Sequence, residues 1–130
     1  MLKKLLDMFT QQPRDTLGDR GENLAAKYLR NNGFKIIARN FRCVMGEIDI
    51  VAREGKTLVF VEVKTRQSDE PTPEEQVNQF KQHQVTKAAK FYLSRYGVQP
   101  AARFDVVAVV WPQRGEAQIR HTPNAFEATF

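Results

Sequence analysis

The sequence predicts an α/β fold in which helices cover a mixed central sheet. One helical stretch precedes three strand-like stretches, and a second helical stretch leads to the most apolar strand of the chain. A strand that follows a long crossover helix can pair in parallel, so the last strand would turn an antiparallel meander into a mixed sheet. With 130 residues and a mass of 15.0 kDa, the chain is long enough for one domain with a single core.

Residues 16–130 are expected to form that domain, and residues 1–15 an N-terminal arm or short amphipathic helix. The first residues are basic and apolar, but Asp7 and the polar residues 10–12 interrupt the apolar stretch of an export signal. The only cysteine, Cys43, excludes an intramolecular disulfide and a multi-cysteine zinc site. This cysteine usage fits a reducing cytoplasm, and no apolar run approaches the ~20 residues of a membrane span.

The first helix is expected to begin at Thr16, with Asp19 in the capping-box position, and to end at Asn31-Asn32-Gly33. A strand over 34–39 follows directly. Two further strands, 46–53 and 57–65, read as a β-hairpin, because Val59, Val61 and Val63 alternate with a second set of side chains.

The loop of this hairpin decides which residues face each other. A loop of Glu54-Gly55 places Asp49 opposite Phe60, diagonal to Glu62, whereas a loop of residues 54–57 places Asp49 directly opposite Glu62. Both registers put Asp49 on the face of Glu62 and Lys64, and a three-residue loop would separate them.

The C-terminal half supplies the second helix and the last strands. A polar loop over 67–75 should lead into a long helix from about Pro73 to Tyr96. We expect its buried side to comprise Val77, Phe80, Gln84, Ala88, Phe91 and Tyr92. Its cations fit an ordinary solvated face or a phosphate-binding surface equally well. A buried strand over 103–111 and a short edge strand over 118–121 complete the fold. Asp105, at the start of the buried strand, is expected to neutralise a neighbouring Arg or Lys, with metal binding as the less favoured alternative.

The charged end of the hairpin carries most of the functional information. Glu62 and Lys64 project to the same side of a strand whose other residues there are apolar. Two facing carboxylates repel each other unless a cation lies between them, and Mg²⁺ prefers such oxygen ligands. A lysine beside the ion can hold a phosphate or position the attacking water. An isolated Glu-x-Lys pair is more often a solvated ion pair, so agreement with other segments matters.

Several segments together resemble the YraN-like family of small bacterial proteins, within the restriction-endonuclease-like, PD-(D/E)xK nuclease superfamily. The resemblance runs from about Gly18 to the end of the chain. The matching segments are Gly18–Leu29, Gly46–Ile50, Val59–Arg66, Arg103–Val107 and Asn124–Phe126. It implies an αβββαβ core similar to that of archaeal Holliday-junction resolvases.

The resemblance also implies residue roles. Asp49 and Glu62 would be the main ligands of Mg²⁺, for which Mn²⁺ can substitute, and Glu22 an auxiliary ligand. Lys64 would organise water and phosphate, which makes these four the expected catalytic residues. Glu47 would be a further ligand or a partner of one. Ile48 stands where the superfamily signature has a proline.

A Mg²⁺-dependent endonuclease acting on DNA, on branched or damaged structures in repair or recombination, is therefore the expected function. The candidate DNA-binding residues are Lys81, Lys87 and Arg66, and the net charge of +5 suits a polyanion. The alternative is a nucleic-acid-binding module without chemistry on the same scaffold. A third possibility is an interaction subunit that uses the N-terminal arm, and paired cuts would favour a homodimer.

Overall fold

The computed structural model describes residues 16–129, which form one five-stranded sheet with a helix against each face. In chain order the elements are α1 (Leu17–Asn31), β1 (Lys35–Cys43), β2 (Gly46–Glu54), β3 (Thr57–Arg66), a 3-10 turn (Pro73–Gln76), α2 (Gln79–Leu93), β4 (Ala102–Val110) and β5 (Gln118–Phe126). This is the restriction-endonuclease-like αβββαβ core with one added strand.

The strands follow one another across the sheet in chain order. β1, β2 and β3 form the predicted antiparallel meander, β4 pairs in parallel with β3, and β5 pairs antiparallel with β4. The parallel pair requires a crossover, and α2 lies within it. The prediction of a mixed sheet flanked by helices is confirmed.

The sheet separates two apolar cores. Val59 and Val61 of β3 pack on the α1 side, around Ala25 and Leu29, whereas Phe60 of the same strand packs on the α2 side. β3 is the central strand of the sheet, and a helix covers each face of the sheet. Because side chains of a strand alternate between the two faces, β3 is apolar on both of them. Its charged C-terminal end is therefore exceptional within the strand.

α1 begins at the predicted capping box. The Asp19 N–H donates to Thr16 Oγ1 over 3.0 Å, and the Thr16 N–H donates to the Asp19 carboxylate over 3.2 Å. One turn later, Gly21 lies directly against Thr65 of β3, where an added Cβ would come within 1.8 Å of Thr65 Oγ1. Only glycine permits this approach, and it brings the following residue, Glu22, to the charged end of β3.

The second helix is shorter than predicted. Residues 73–76 form a 3-10 turn, and α2 begins at Gln79 because Asn78 acts as its N-cap, accepting a hydrogen bond from the Lys81 N–H over 3.0 Å. The prediction of its buried side is partly wrong: Ala88 and Tyr92 are buried, but Phe80 is 71% and Phe91 49% exposed. The sheet is instead covered by the small side chains of α2 together with Val85, whose spacing from Ala88 and Tyr92 is helical.

The edge strand β5 is longer than predicted and is tied to β4 by Asp105. This fully buried carboxylate accepts hydrogen bonds from Arg103 over 2.9 Å and from the Asn124 N–H over 2.9 Å, and it lies 2.8 Å from His121 Nε2. Its expected role as partner of a basic residue is confirmed. Burial raises the pKa of Asp105, but the bonds from His121, Arg103 and Asn124 outweigh it and hold the pKa below its usual value.

No helix within residues 16–129 is long and apolar enough to span a membrane. The arm predicted over 1–15 lies outside the described residues.

Candidate metal centre

The β2–β3 hairpin has the register that brings the two acids level. Arg53 faces Leu58 and Ile50 faces Val61, with Gly55 and Lys56 forming the turn. This is the register expected for the longer predicted loop, and its next step places Asp49 opposite Glu62. The regular pairing ends at Ile50.

Beyond Ile50, β3 forms a hydrogen bond to the side chain of Asp49 and not to the backbone of β2. Asp49 Oδ2 accepts a hydrogen bond from the Val63 N–H over 2.8 Å. Ile50 packs in the core on the α1 side, but Ile48 packs in the core on the α2 side, so strict alternation fails at the residue between them. β2 thus changes its course at Asp49, and the carboxylate occupies the gap that opens between the two strands.

Glu62 is the most buried acid of the hairpin, at 4% exposure. Its Oε1 lies 3.5 Å from the ammonium group of Lys81 on α2, whereas its Oε2 is buried without a hydrogen-bond partner. Burial, and then the negative charge of Asp49, raise the pKa of Glu62 to about 8, against the attraction of Lys81. Burial likewise raises the pKa of Asp49, although the Val63 N–H and Lys81 oppose the shift. A proton or a cation between the two carboxylates would relieve both penalties.

Glu22 reaches the same region from α1. Its carboxylate is buried and accepts hydrogen bonds from Arg39 of β1, the shorter of which is 3.0 Å. Burial raises the pKa of Glu22, the bond from Arg39 opposes the shift, and the charge of Asp49 adds to it. The field of Asp49 therefore acts on Glu22 as well as on Glu62.

These side chains surround an open cleft of about 260 Å³. Glu22, Glu47, Asp49 and Lys64 line it, together with Gly18, Asp19, Asn40, Arg42, Val63 and Thr65. The exposed Glu47 lies 3.4 Å from Arg42, and within residues 16–129 Lys64 forms no ion pair. Four of the five predicted catalytic or metal-binding residues thus share one cleft, and Glu62 lies buried next to Asp49.

The acids are near one another but are not arranged as a finished ligand set. Within the described residues, no three Asp, Glu, His or Cys side chains converge as a group that could hold a metal ion. Glu22 is turned to Arg39 and Glu62 to Lys81. The two carboxylates closest to the expected arrangement are therefore Asp49 and Glu62.

The three predicted DNA-binding residues occupy different environments. Lys87 is exposed on α2, whereas Lys81 is the partner of Glu62. Arg66 ends β3 with its Nε buried and without a partner. Lys81 thus belongs to the acidic centre, a position that its spacing in the sequence did not indicate.

The sequence also gave no sign of Arg39. It lies in β1 opposite Ile50, and a pairing of a strand residue with Glu22, 17 residues earlier, follows from the packing of α1 on the sheet. The one available signal was indirect, because Gly21 beside Glu22 marks a close approach of helix and strand.

Fold and cleft together define a protein of the restriction-endonuclease-like α/β class, with its charged residues at the end of two neighbouring strands. The sequence model of the uncharacterised protein family UPF0102 matches residues 21–109. The chain belongs to this family, the YraN family that its motifs indicated.

Relatives extend the match over most of the chain. A UPF0102 protein of Geobacter sulfurreducens is 52% identical over 116 residues, which cover 88% of this chain and 91% of the relative. One from Geobacter metallireducens is 50% identical over 117 residues, covering 88% and 95%. One from Symbiobacterium thermophilum is 46% identical over 114 residues, covering 86% and 97%.

Proposed function

We propose that this protein is a Mg²⁺-dependent endonuclease that hydrolyses phosphodiester bonds in DNA. The observation that carries the proposal is the pair of half-buried Asp49 and buried Glu62, which lie where the regular pairing of β2 with β3 ends, with Lys64 following at the cleft. Burying two repelling carboxylates costs stability, which a solely structural role does not explain. A cation between the carboxylates and a phosphate at Lys64 would account for this arrangement.

The residues present fit a hard divalent ion. Glu62 Oε2 is buried and lacks a partner, and Asp49 retains one carboxylate oxygen beside the one bonded to Val63. Oxygen ligands from one or two carboxylates, completed by water, are what Mg²⁺ takes in sites that also hold phosphate. Asp49 and Glu62 would hold the ion. Glu22, which lines the cleft, would be an auxiliary ligand, and Glu47 beside it a further ligand or a partner of one. The bound ion would supply Lewis acidity and lower the pKa of a bound water.

The remaining chemistry belongs to the side chains of the cleft. Lys64 presents an ammonium group to a phosphate in the cleft, where it donates hydrogen bonds to the oxygens that gain charge during attack. Arg39 fixes the carboxylate of Glu22, and the Val63 N–H fixes that of Asp49. Both carboxylates are thereby held in defined positions, and Glu22 would turn from Arg39 toward the ion to serve as a ligand.

The first test is calorimetric titration of the wild type and of Asp49→Ala with Mg²⁺ and Mn²⁺, with and without a non-cleavable DNA analogue. Glu54→Ala, at the opposite end of β2, is the matched control. We expect binding that Asp49→Ala abolishes and Glu54→Ala leaves intact. Cleavage of branched, nicked and single-stranded DNA should then be lost in Asp49→Ala, Glu62→Gln and Lys64→Ala. Equal binding and turnover in all variants would overturn the proposal.

One observation favours the alternative of a binding module without chemistry. Glu22 and Glu62 each lie beside a cation of the chain, Arg39 and Lys81, which occupies a position where a metal ion would otherwise offset their charge. In that case DNA binding should fall steeply with salt and be the same in Mg²⁺ and in EDTA. Metal-dependent cleavage that requires Asp49 would exclude this alternative.

A further inference from the structure

The charged side chains of α2 are all basic. Residues 76–102 contain four lysines and arginines and no aspartate or glutamate. Lys87 and Lys90 are exposed, whereas Lys81 reaches Glu62. A helix face that is basic without interspersed acids attracts polyanions.

Aromatic side chains accompany these cations. Phe80 and Phe91 are the two largely exposed phenylalanines of the described chain, and they lie on one side of α2, about 16 Å apart along the helix axis. An open and mostly apolar groove of about 420 Å³ lies beside Phe91, lined by Met45, Lys87, Lys90, Phe91 and Ser94. A face that combines aromatic rings with lysines suits a ligand with both flat apolar groups and negative charge.

The groove and the candidate metal centre are lined by residues of the same turn and strand. Met45 lines the groove and Glu47 lines the cleft, and only Gly46 separates them. The turn that carries these residues presses against α2, because a Cβ on Gly46 would lie 3.0 Å from the Gln84 carbonyl oxygen. A chain leaving the cleft past this turn would meet the face of α2 directly.

We propose that this face of α2, together with the Val44–Met45 turn, binds an unpaired strand of the DNA substrate. The inference rests on the proposed function and adds the substrate class: a junction or flap with a single-stranded segment next to the cut. Bases would stack on Phe91 and Phe80, and Lys87 would contact phosphates. A continuous duplex keeps its bases stacked inside and cannot use the phenylalanines.

Charge argues against a second copy of the chain on this face. In a twofold dimer the same surface meets itself, so the lysines of one copy would face those of the other. Like charges brought together at an interface are unfavourable, whereas a phosphate backbone is complementary to them. Among candidate occupants, nucleic acid is therefore the better match.

The test is fluorescence anisotropy in EDTA, without cleavage, with labelled oligothymidine of about 20 nucleotides, longer than the stretch such surfaces usually cover. A duplex of equal length is the second probe. Phe80→Ala and Phe80→Ala/Phe91→Ala are compared with Ile37→Ala/Val98→Ala, which removes exposed apolar side chains elsewhere. Phe80 is mostly exposed, so the single variant retains its fold even if the double variant is destabilised by loss of the Phe91–Phe41 contact.

We expect the double variant to bind oligothymidine about 30-fold or more weakly, since the loss of each stacked base costs roughly 1–3 kcal/mol. Phe80→Ala should weaken it about fivefold or more, and duplex binding should be the same in all four proteins. Lys87→Gln should lower the salt dependence by about 0.7 per lost phosphate contact, whereas Lys56→Gln, in the distant β2–β3 turn, should not.

Unchanged oligothymidine binding in both phenylalanine variants would overturn the inference. So would a concentration-dependent dimer, seen by sedimentation velocity, that the double variant dissociates while its DNA binding stays intact. The proposed hydrolysis can fail separately, because these measurements require neither metal nor turnover. Strand binding through Phe80 and Phe91 without any cleavage would refute the nuclease and leave this surface as the DNA-binding element.

Discussion

Glu62 is the residue whose environment differs most from what its side chain prefers. It is buried opposite Asp49, and one carboxylate oxygen lacks a partner. In the absence of metal the acid therefore retains a proton near neutral pH, because its pKa is raised to about 8. If the proposed site takes up a cation in place of that proton, metal binding should release protons at neutral pH.

The raised pKa makes stability depend on pH. Because the folded state holds the proton more tightly than the unfolded chain, Glu62 contributes stability that is complete below pH ~4.5 and is lost as pH rises to about 8. In EDTA the free energy of unfolding should fall across this window, by on the order of 3 kcal/mol. Urea titrations between pH 5 and pH 8.5 measure it.

Glu62→Gln removes this titrating group and should reduce the fall in stability, leaving the contributions of Asp49 and Glu22, whose pKa values burial also raises. The exposed Glu70→Gln is the matched control and should keep the slope of the wild type. A slope as steep in Glu62→Gln as in the wild type would contradict the role of Glu62.

At the scale of the elements, the contact of Gly21 with Thr65 sets the distance between α1 and β3. Gly21→Ala would drive its methyl group into the threonine side chain, so α1 must move away from the sheet. We expect a loss of about 1–3 kcal/mol in unfolding free energy, typical of overpacking. Cleavage should fall further than stability alone explains, because Glu22 moves with the helix.

A double-mutant cycle checks the cause. Thr65→Ala removes Oγ1 and Cγ2, the atoms at 1.8 Å and 2.8 Å, and leaves Cβ at 2.7 Å, so it should recover part of the loss. Gly97→Ala is the control, because no atom lies within 4 Å of its added Cβ. Additive effects of the two substitutions would rule out this contact as the source.

The elements also show how far sequence patterns reach. The helix–meander–helix–strand order followed from periodicity, and the end of α1 from its asparagines and glycine. The start of α2 did not, because Pro73 suits the first turn of a helix, and only the Asn78 side chain on the Lys81 N–H fixes where α2 begins. The spacing of apolar residues predicts Phe80 and Phe91 on the buried side of α2, but both are exposed. The side of a helix that is buried depends on how it packs, and in α2 the small residues face the sheet.

The candidate site was predictable as far as it lies within one hairpin. Asp49, Glu62 and Lys64 follow from strand alternation and a short turn, although the choice between two registers needed the structure. The partners Arg39 and Lys81 come from β1 and α2, and no local pattern links them to the acids. Long-range ion pairs depend on how elements pack, which local spacing does not encode.

Over the whole molecule, Asp105 joins the edge of the sheet to its centre. It binds Arg103 and His121, while Arg103 also binds Glu54 of β2 over 2.9 Å. The His121 ring packs edge-on against Tyr28 of α1. One buried carboxylate thus connects β4, β5, β2 and, through the histidine, α1.

Asp105→Asn should therefore destabilise the entire domain, by roughly 3–5 kcal/mol, because it removes the fully buried carboxylate that Arg103, His121 and the Asn124 N–H share. Asp69→Asn, which weakens an exposed ion pair with Arg120, is the control and should have a small effect. Urea unfolding followed by circular dichroism compares them. Similar midpoints for the two variants would contradict the central role of Asp105.

The order of the strands has a consequence for how the charged centre arises during folding. Every strand neighbours the strand next to it in the chain, and only the β3–β4 pair needs a long crossover. Contacts between residues close in sequence form with little loop-closure entropy. Asp49 and Glu62 lie 13 residues apart around a two-residue turn, so the meander can bring them together before β4 docks. The two acids therefore come together early in folding, in an open hairpin where water still screens their repulsion. They are buried only later, when α2 packs over them.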